Sequence, residues 1–436
     1  MRIVNRLTTQ PDNHSFARRP NILNSLMKIR SITYFTNPGW PIKPIILQQA
    51  ADFITAARSV YEEVGFEVQT ARLATPPFPT LLPDCKPATV VAFAQELESG
   101  ASSFGFEYTA IGPALPEFPD SYPSIPAVIA GTDNTFASGM MVSARDGISL
   151  LGIRACAQVI QQLSPQDPNG FANLYFAALA NVQPGAPFFP AAYHDGGDPA
   201  FAIATEAADL AVTAFNQATS LAEARGNLTS ALEENAHRLC LAAERLTHQF
   251  AKTQNLHFGG IDYSLAPFPE IDLSLGTAME RLGVPEVGDH GSLAAAAFLA
   301  DIIDQANFPH TGFSGMMLPV LEDATLAARA SQGTLNIKDL LLYSAVCGTG
   351  LDTVPLPGDT TANQLTALLL DLAALALRLD KPLTARLMPI PGKRAGDPTN
   401  FDFPFFANSR VMALQAGPLV GNLAGVESFR LGTRKR

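Results

Sequence analysis

The sequence predicts an α/β protein, a largely parallel sheet wrapped by crossover helices. Three observations predict it. Strand-like and helix-like segments alternate along 27–390 with little interruption. The chain is 47% hydrophobic and only 16% charged, against a usual charged share of roughly 25%, so it carries the apolar material for a large core. Its 436 residues suffice for one large α/β domain, expected over 27–436.

The elements follow in order. Residues 28–36 (KIRSITYFT) alternate in strand fashion and stop at Asn37-Pro38-Gly39. Apolar residues recur at helical spacing over 45–64, with Glu62 and Glu63 outward and Gly65 as the stop. A strand at 66–73 ends at Pro76 and Pro77, and 87–98 is helical. Strands at 106–111 and 125–130 come next, the second running into Gly131-Thr-Asp-Asn134. A helix at 147–163 and a strand at 173–180 precede a loop, 184–198 (PGAPFFPAAYHDGGD), too rich in Pro and Gly for regular structure. The stretch 199–255 reads as a helical insertion, two helices broken near Gly226-Asn227 with an Ala/Leu face.

In the second half, 259–265 and 313–320 read as strands, and 273–282, 292–306 and 322–330 as helices. Asn336 with Asp339 three residues on, and Thr361 with Gln364, mark two helix starts as capping boxes; the first helix is expected to reach about Val346. The second lies between strands at 351–356 and 382–390, a complete βαβ unit whose crossover should be right-handed. The total of about nine strands exceeds the eight of the common barrel and fits either a larger closed barrel or an open sheet.

Composition narrows the partners. A net charge of −11 without a basic stripe argues against nucleic acid. The four cysteines (Cys85, Cys156, Cys240, Cys347) form no C-x-x-C pair, which fits a reducing compartment. No uninterrupted apolar run reaches the roughly 18 residues of a membrane span. A soluble, cytoplasmic protein is expected, with a homodimer as one use of the surplus apolar surface. Residues 1–26 stand apart, with Arg2, Arg6, Arg18 and Arg19 against one acid, Asp12. They read as a disordered extension, or as a translation start placed upstream of Met27.

In parallel α/β folds the working residues sit where strands release into loops at their C-terminal ends. Those releases carry Asp133 and Asn134, His194 and Asp195, Glu322, Cys347 with Asp352 and Asp359, and Lys393 with Arg394. Cys347 offers a nucleophile or an acid/base, and is otherwise a small buried hydrophobe. A helix ending at Val346 would point the negative end of its dipole at the sulfur and oppose thiolate formation. Asp352 and Asp359 could orient a ligand, His194 could move protons, and Lys393 and Arg394 could hold an anion, with Glu322, Asp133 and Asn134 as further binding groups. Gly348-Thr-Gly350 lacks the third glycine and the following helix of a dinucleotide site. His194, Asp195 and His290 could hold a divalent ion, although no H-x-x-x-H or H-E-x-x-H spacing supports it. The sequence does not identify a cofactor.

Several motifs carry a family resemblance. They are Phe258-Gly-Gly-Ile-Asp-Tyr-Ser-Leu-Ala-Pro267, Gly312-Phe-Ser-Gly315, Pro319-Val-Leu-Glu-Asp323, Cys347-Gly-Thr-Gly-Leu-Asp352, Pro357-Gly-Asp-Thr360 and Pro389-Ile-Pro-Gly-Lys393, with Pro187-Phe-Phe-Pro-Ala-Ala-Tyr-His194 earlier. Together they resemble the uncharacterised family known as domain of unknown function 711, or uncharacterised protein family 0210. The resemblance implies a fold similar to pyruvate formate-lyase-like glycyl radical enzymes: an α/β barrel of about ten strands with a cysteine-bearing loop inside. It also implies a second cysteine two residues before Cys347, where this chain has Ala345. Radical chemistry does not carry over, because the C-terminal stretch 417–436 holds no R-V-x-G-Y-like glycyl motif. The function expected is that of a non-radical enzyme acting on a small anionic metabolite in an interior pocket. The alternatives are a metabolite-binding or regulatory protein without turnover, and a metal-dependent hydrolase.

Overall fold

A computed structural model describes residues 27–143 and 147–433; the extension expected over 1–26 lies outside the described residues. Their strands are β1 (Lys28–Phe35), β2 (Ala71–Ala74), β3 (Tyr108–Ala114), β4 (Thr135–Met140), β5 (Val142–Ser143), β6 (Gly147–Ser149), β7 (Phe176–Ala180), β8 (Ala200–Glu206), β9 (His257–Ala266), β10 (Gly350–Pro357), β11 (Leu383–Ile390) and β12 (Ser428–Phe429). Nine of them make one sheet in the order β10-β11-β7-β4-β3-β2-β1-β8-β9, and β12-β6-β5 form a small second sheet.

The large sheet has two halves of opposite direction. Strands β1, β2, β3, β4 and β7 are mutually parallel. So are β8 with β9, and β10 with β11. The halves meet antiparallel at β1–β8 and β7–β11. Each end of the sheet therefore carries the C-terminal ends of one half and the N-terminal ends of the other.

The segment 310–320 lies between the sheet's two edge strands. Along β9, Ile261 bridges to His310, Gly315 N donates to Tyr263 O at 3.2 Å, and Met317 N donates to Ser264 O at 3.1 Å. Along β10, Pro319 bridges to Asp352, whose carbonyl accepts from Val320 N at 3.1 Å. The strand expected at 313–320 is thus an irregular ribbon. Gly312, with a φ of +63°, turns the backbone out of strand geometry, and Pro319 has no N–H to extend the ladder past its bridge.

Helices α1 (Pro44–Glu63), α2 (Pro87–Ser103), α3 (Ile125–Gly131), α4 (Leu150–Leu163), α5 (Ala208–Asn216), α6 (Leu221–Gln254), α7 (Leu275–Arg281), α8 (Ser292–Gln305), α9 (Ala324–Gln332), α10 (Ile337–Tyr343) and α11 (Ala362–Leu379) make up the helical layer. Both capping boxes form, at Asn336 for α10 and at Thr361 for α11. By length and composition α11 could cross a membrane, but it buries Leu365, Leu369, Leu372 and Ala376 and packs on β7, β11 and α4 as a core helix. The main core lies between sheet and helices. A second cluster (Met140, Ala177, Leu179, Ala191, Tyr193, Phe313) packs loop 181–198 and the 310–320 ribbon onto the sheet's other face.

Three expectations are corrected. Residues 199–255 are not helical throughout: Ala200–Glu206 is β8, inserted between β1 and β9, and the helix break falls at 217–220, leaving Gly226 inside α6. Sheet pairing on both edges outweighs the helix propensity of alanine there. Residues 125–131 form α3, started by a proline in its first turn, so the next strand begins only at Thr135. And α10 ends at Tyr343, with turns carrying the chain to Cys347.

Candidate functional site

Where β1 to β4 begin and β8 and β9 end, the sheet bounds a cavity of about 150 Å³. Its lining draws on strands far apart in sequence: Arg30 on β1, Arg72 on β2, Tyr108 on β3, Phe136 on β4, Asp262 and Ser264 on β9, and Arg386 on β11. Glu322 joins from the ribbon's end. It is fixed there because the next residue, Asp323, caps α9 through Thr325 N and Leu326 N and accepts from Ser274 Oγ at 2.6 Å.

Two of the three arginines are neutralised. Arg386 grips Asp352 with Nε–Oδ1 at 2.5 Å and Nη2–Oδ2 at 2.9 Å, and reaches Glu322 Oε1 at 2.6 Å. Arg30 Nη2 takes the other oxygen, Glu322 Oε2, at 3.0 Å. Burial opposes the charge of Glu322, but Arg386 and Arg30 outweigh it and hold the carboxyl below its ordinary value. The four side chains form an alternating chain of charge, Arg30–Glu322–Arg386–Asp352, whose members satisfy one another away from water.

Arg72 is different. Among the described residues it has no carboxylate within ion-pairing distance. Its guanidinium lies between the rings of Tyr108 and Phe189, 5.7 and 5.2 Å from their centroids, and its Nε donates to Thr70 Oγ1 at 3.0 Å. Neighbouring Glu107 is engaged by Arg58 and by Ala71 N. Burial, with Arg30 repelling it, pushes Arg72 down to about 10. It remains a cation at neutral pH, and among the described residues its Nη donors meet no protein acceptor.

Asp262 supplies the titratable carboxyl. Burial raises it to about 6, although Phe313 N (3.0 Å), Ser314 N (3.2 Å) and the Ser264 hydroxyl all donate to it. The approach of the 312–314 turn needs Gly312: a Cβ there would lie 2.2 Å from Asp262 Oδ2, and its φ is +63°. Phe188, Phe403, Phe405 and Phe406 complete the wall.

The residues expected from sequence divide. Glu322 lines the cavity, and Asp352 anchors Arg386 directly behind it. Cys347 does not line it. It lies at the N-terminal start of β10, at the opposite end of the sheet, in the core against the helices and 1% exposed. Its Sγ accepts from Gly350 N at 3.4 Å and its carbonyl accepts from the Lys381 ammonium. Burial lowers the pKa of that lysine. His194 also lies at the far end, where its amide donates to Thr75 O beyond β2. Its ring is occupied by its own loop, with Nε2 3.1 Å from Asp198 O and Nδ1 accepting from Gly196 N, and burial lowers its pKa.

Asp133 and Asn134 lead into β4 at its N-terminal side, because the strand expected before them is a helix. Their amides donate to Glu98 of α2. Asp359 is exposed in the turn after β10 and Arg394 is exposed after β11; Lys393 is half-buried, and its carbonyl accepts from Gly358 N. All three share the cavity's end of the sheet but not its lining. His290 is exposed on a loop, and no three His, Cys, Asp or Glu residues gather as metal ligands among the described residues.

Arg30, Arg72, Arg386 and Asp262 are not singled out by loop position in the sequence. A signal was present in LTARLMPI: an arginine in the middle of an otherwise apolar strand must be paired or bind something.

Compared with known proteins, residues 21–408 match the family described as "Uncharacterised ACR (DUF711)". A UPF0210 protein of Pyrobaculum aerophilum is 32% identical over 361 residues, 78% of each chain. A UPF0210 protein of Neisseria meningitidis is 27% identical over 360 residues, 80% of each chain. One from Methanococcoides burtonii is 26% identical over 364 residues, 81% of this chain and 80% of its own.

Proposed function

The chain belongs to the uncharacterised DUF711 family, and from that premise we propose that it is a non-radical enzyme whose cavity binds a small organic anion. Arg72 holds the anion and Asp262 exchanges a proton with it. The observation that carries this reading is the unpaired, ring-sandwiched guanidinium of Arg72 beside two arginines that already have carboxylates. A cation so placed costs desolvation that an incoming anion offsets, through two parallel N–H···O bonds. The Asp262 carboxyl, at about 6, lies where a group both takes and returns a proton near neutral pH.

The ribbon 310–320 supports a further part of the reading, that it acts as the tenth stave and closes the sheet into a barrel of the pyruvate formate-lyase-like kind. The barrel interior would then exclude bulk water from the ligand, which strengthens each charge–charge contact inside.

Calorimetric titration of the full chain and of Arg72→Met with small carboxylates and inorganic phosphate tests the binding. At least one of these anions should bind the parent chain, with affinity reduced about tenfold to a hundredfold in the variant, the value of a charged hydrogen-bonding pair. An anion that binds both proteins equally, or no anion binding at all, contradicts the reading.

A further inference from the structure

The cavity's apolar walls carry information beyond the charge it takes. Tyr108 and Phe136 stand edge to face with centroids 5.4 Å apart, and Phe136 meets Phe189 in the same way at 5.4 Å. Phe403 and Phe406, also in the lining, are held edge-on at 5.1 Å, each against Phe171. The segment that brings these phenylalanines is pinned at its base. Phe401 N donates to Asn408 Oδ1 at 2.7 Å, Ser409 N to Thr399 Oγ1 at 2.7 Å, and Ala407 N to Leu321 O at 2.8 Å. The rings are thus fixed before any ligand arrives, and the slot has a set shape.

Size and charge narrow what fits. A cavity of about 150 Å³ equals the engineered apolar cavity known to accept a single benzene ring. Arg30 and, less strongly, Arg386 repel Arg72, and Glu107, which attracts it, has its carboxylate already held by Arg58. Arg30 and Arg386 are balanced by Glu322 and Asp352. Arg72 is the cation left without a carboxylate, while Glu206 and Asp262 also line the cavity, so a doubly charged phosphate would meet more repulsion in a poorly solvated space than a singly charged carboxylate does.

We propose that the ligand is a single-ring aromatic carboxylate, its ring in the phenylalanine slot and its carboxylate on Arg72. This rests on the anion-binding reading above and narrows it to one chemical class. The ring makes edge-to-face contacts with Phe136, Phe189, Phe403 and Phe406 and packs against Phe405 at the slot's edge, and the planar carboxylate matches the fork of the guanidinium. Asp262 and Ser264 face the cavity from β9.

Benzoate, cyclohexanecarboxylate, acetate and inorganic phosphate serve as probes, titrated into the full chain, Arg72→Met and Phe405→Ala. Phe405 is half-buried and sits at the edge of the aromatic group, so its removal leaves the fold intact. Benzoate should bind at least about tenfold more tightly than acetate or phosphate, and about threefold more tightly than cyclohexanecarboxylate. Phe405→Ala should weaken benzoate severalfold and leave acetate unchanged. Acetate or phosphate binding as well as benzoate, with Arg72→Met abolishing it, overturns the aromatic class and keeps the anion site; so does cyclohexanecarboxylate matching benzoate. Benzoate binding undiminished by Arg72→Met overturns both readings.

Discussion

The two ends of the sheet hold opposite kinds of chemistry. At one end, the turn before β10 places Cys347 beside two glycines, Gly348 and Gly350, and Lys381 reaches it from just before β11. The structure closes that turn: the sulfur accepts from an amide, the lysine caps a carbonyl, and the thiol is 1% exposed. At the other end, Arg30, Arg72, Asp262 and Arg386 are scattered over more than three hundred residues, and the sheet brings them around one cavity. A reactive side chain in a glycine-rich turn can simply be satisfied by the turn's own backbone. Charged residues carried singly on apolar strands have no local partner, and their burial is tolerated only where the fold assembles partners or leaves room for a ligand.

The largest expected effect sharpens this contrast within the cavity itself. Arg386→Met leaves Glu322 and Asp352 buried without their shared cation and should cost about 3–5 kcal/mol in chemical unfolding. Arg72→Met removes a cation with no carboxylate partner and should change stability by less than about 1 kcal/mol. Equal losses in the two variants would mean that Arg72 is as structural as Arg386, and the distinction between network and ligand site would break.

A smaller effect concerns pH. Asp262 is raised to about 6 by burial, so its carboxyl is neutral below that value and adds a negative charge to the cavity above it. Anion affinity should fall severalfold as pH rises from about 5 to about 7. Bound anion should in turn raise the Asp262 value, seen as proton uptake when titrations are repeated in buffers of different ionisation enthalpy. A flat profile would remove Asp262 from the ligand's surroundings.

Much of the fold was legible, because it follows from local chemistry. The capping boxes at Asn336 and Thr361, the alternation in KIRSITYFT and the βαβ unit through β10, α11 and β11 all formed where their residues place them. What was not legible depends on pairing. AFAIATE is as alanine-rich as a helix and becomes β8 only because β1 and β9 flank it. Strand direction cannot be read from periodicity either. Taking all strands as parallel placed every C-terminal loop at one end, whereas the antiparallel halves send His194 to one end and Glu322 with Asp352 to the other. Glu322 and Asp352 stand out in the sequence as polar residues near glycine or proline, whereas their arginine partners sit inside strand-like runs that give no such signal.

The central claim is that the working site is the arginine cavity and not the cysteine turn. Benzoate affinity measured by calorimetry in parallel for Arg72→Met and Cys347→Ala tests it most directly. The account predicts a loss of about tenfold or more in Arg72→Met, and a change of less than about twofold in Cys347→Ala. A loss in Cys347→Ala with Arg72→Met unaffected would contradict it and return the site to the turn.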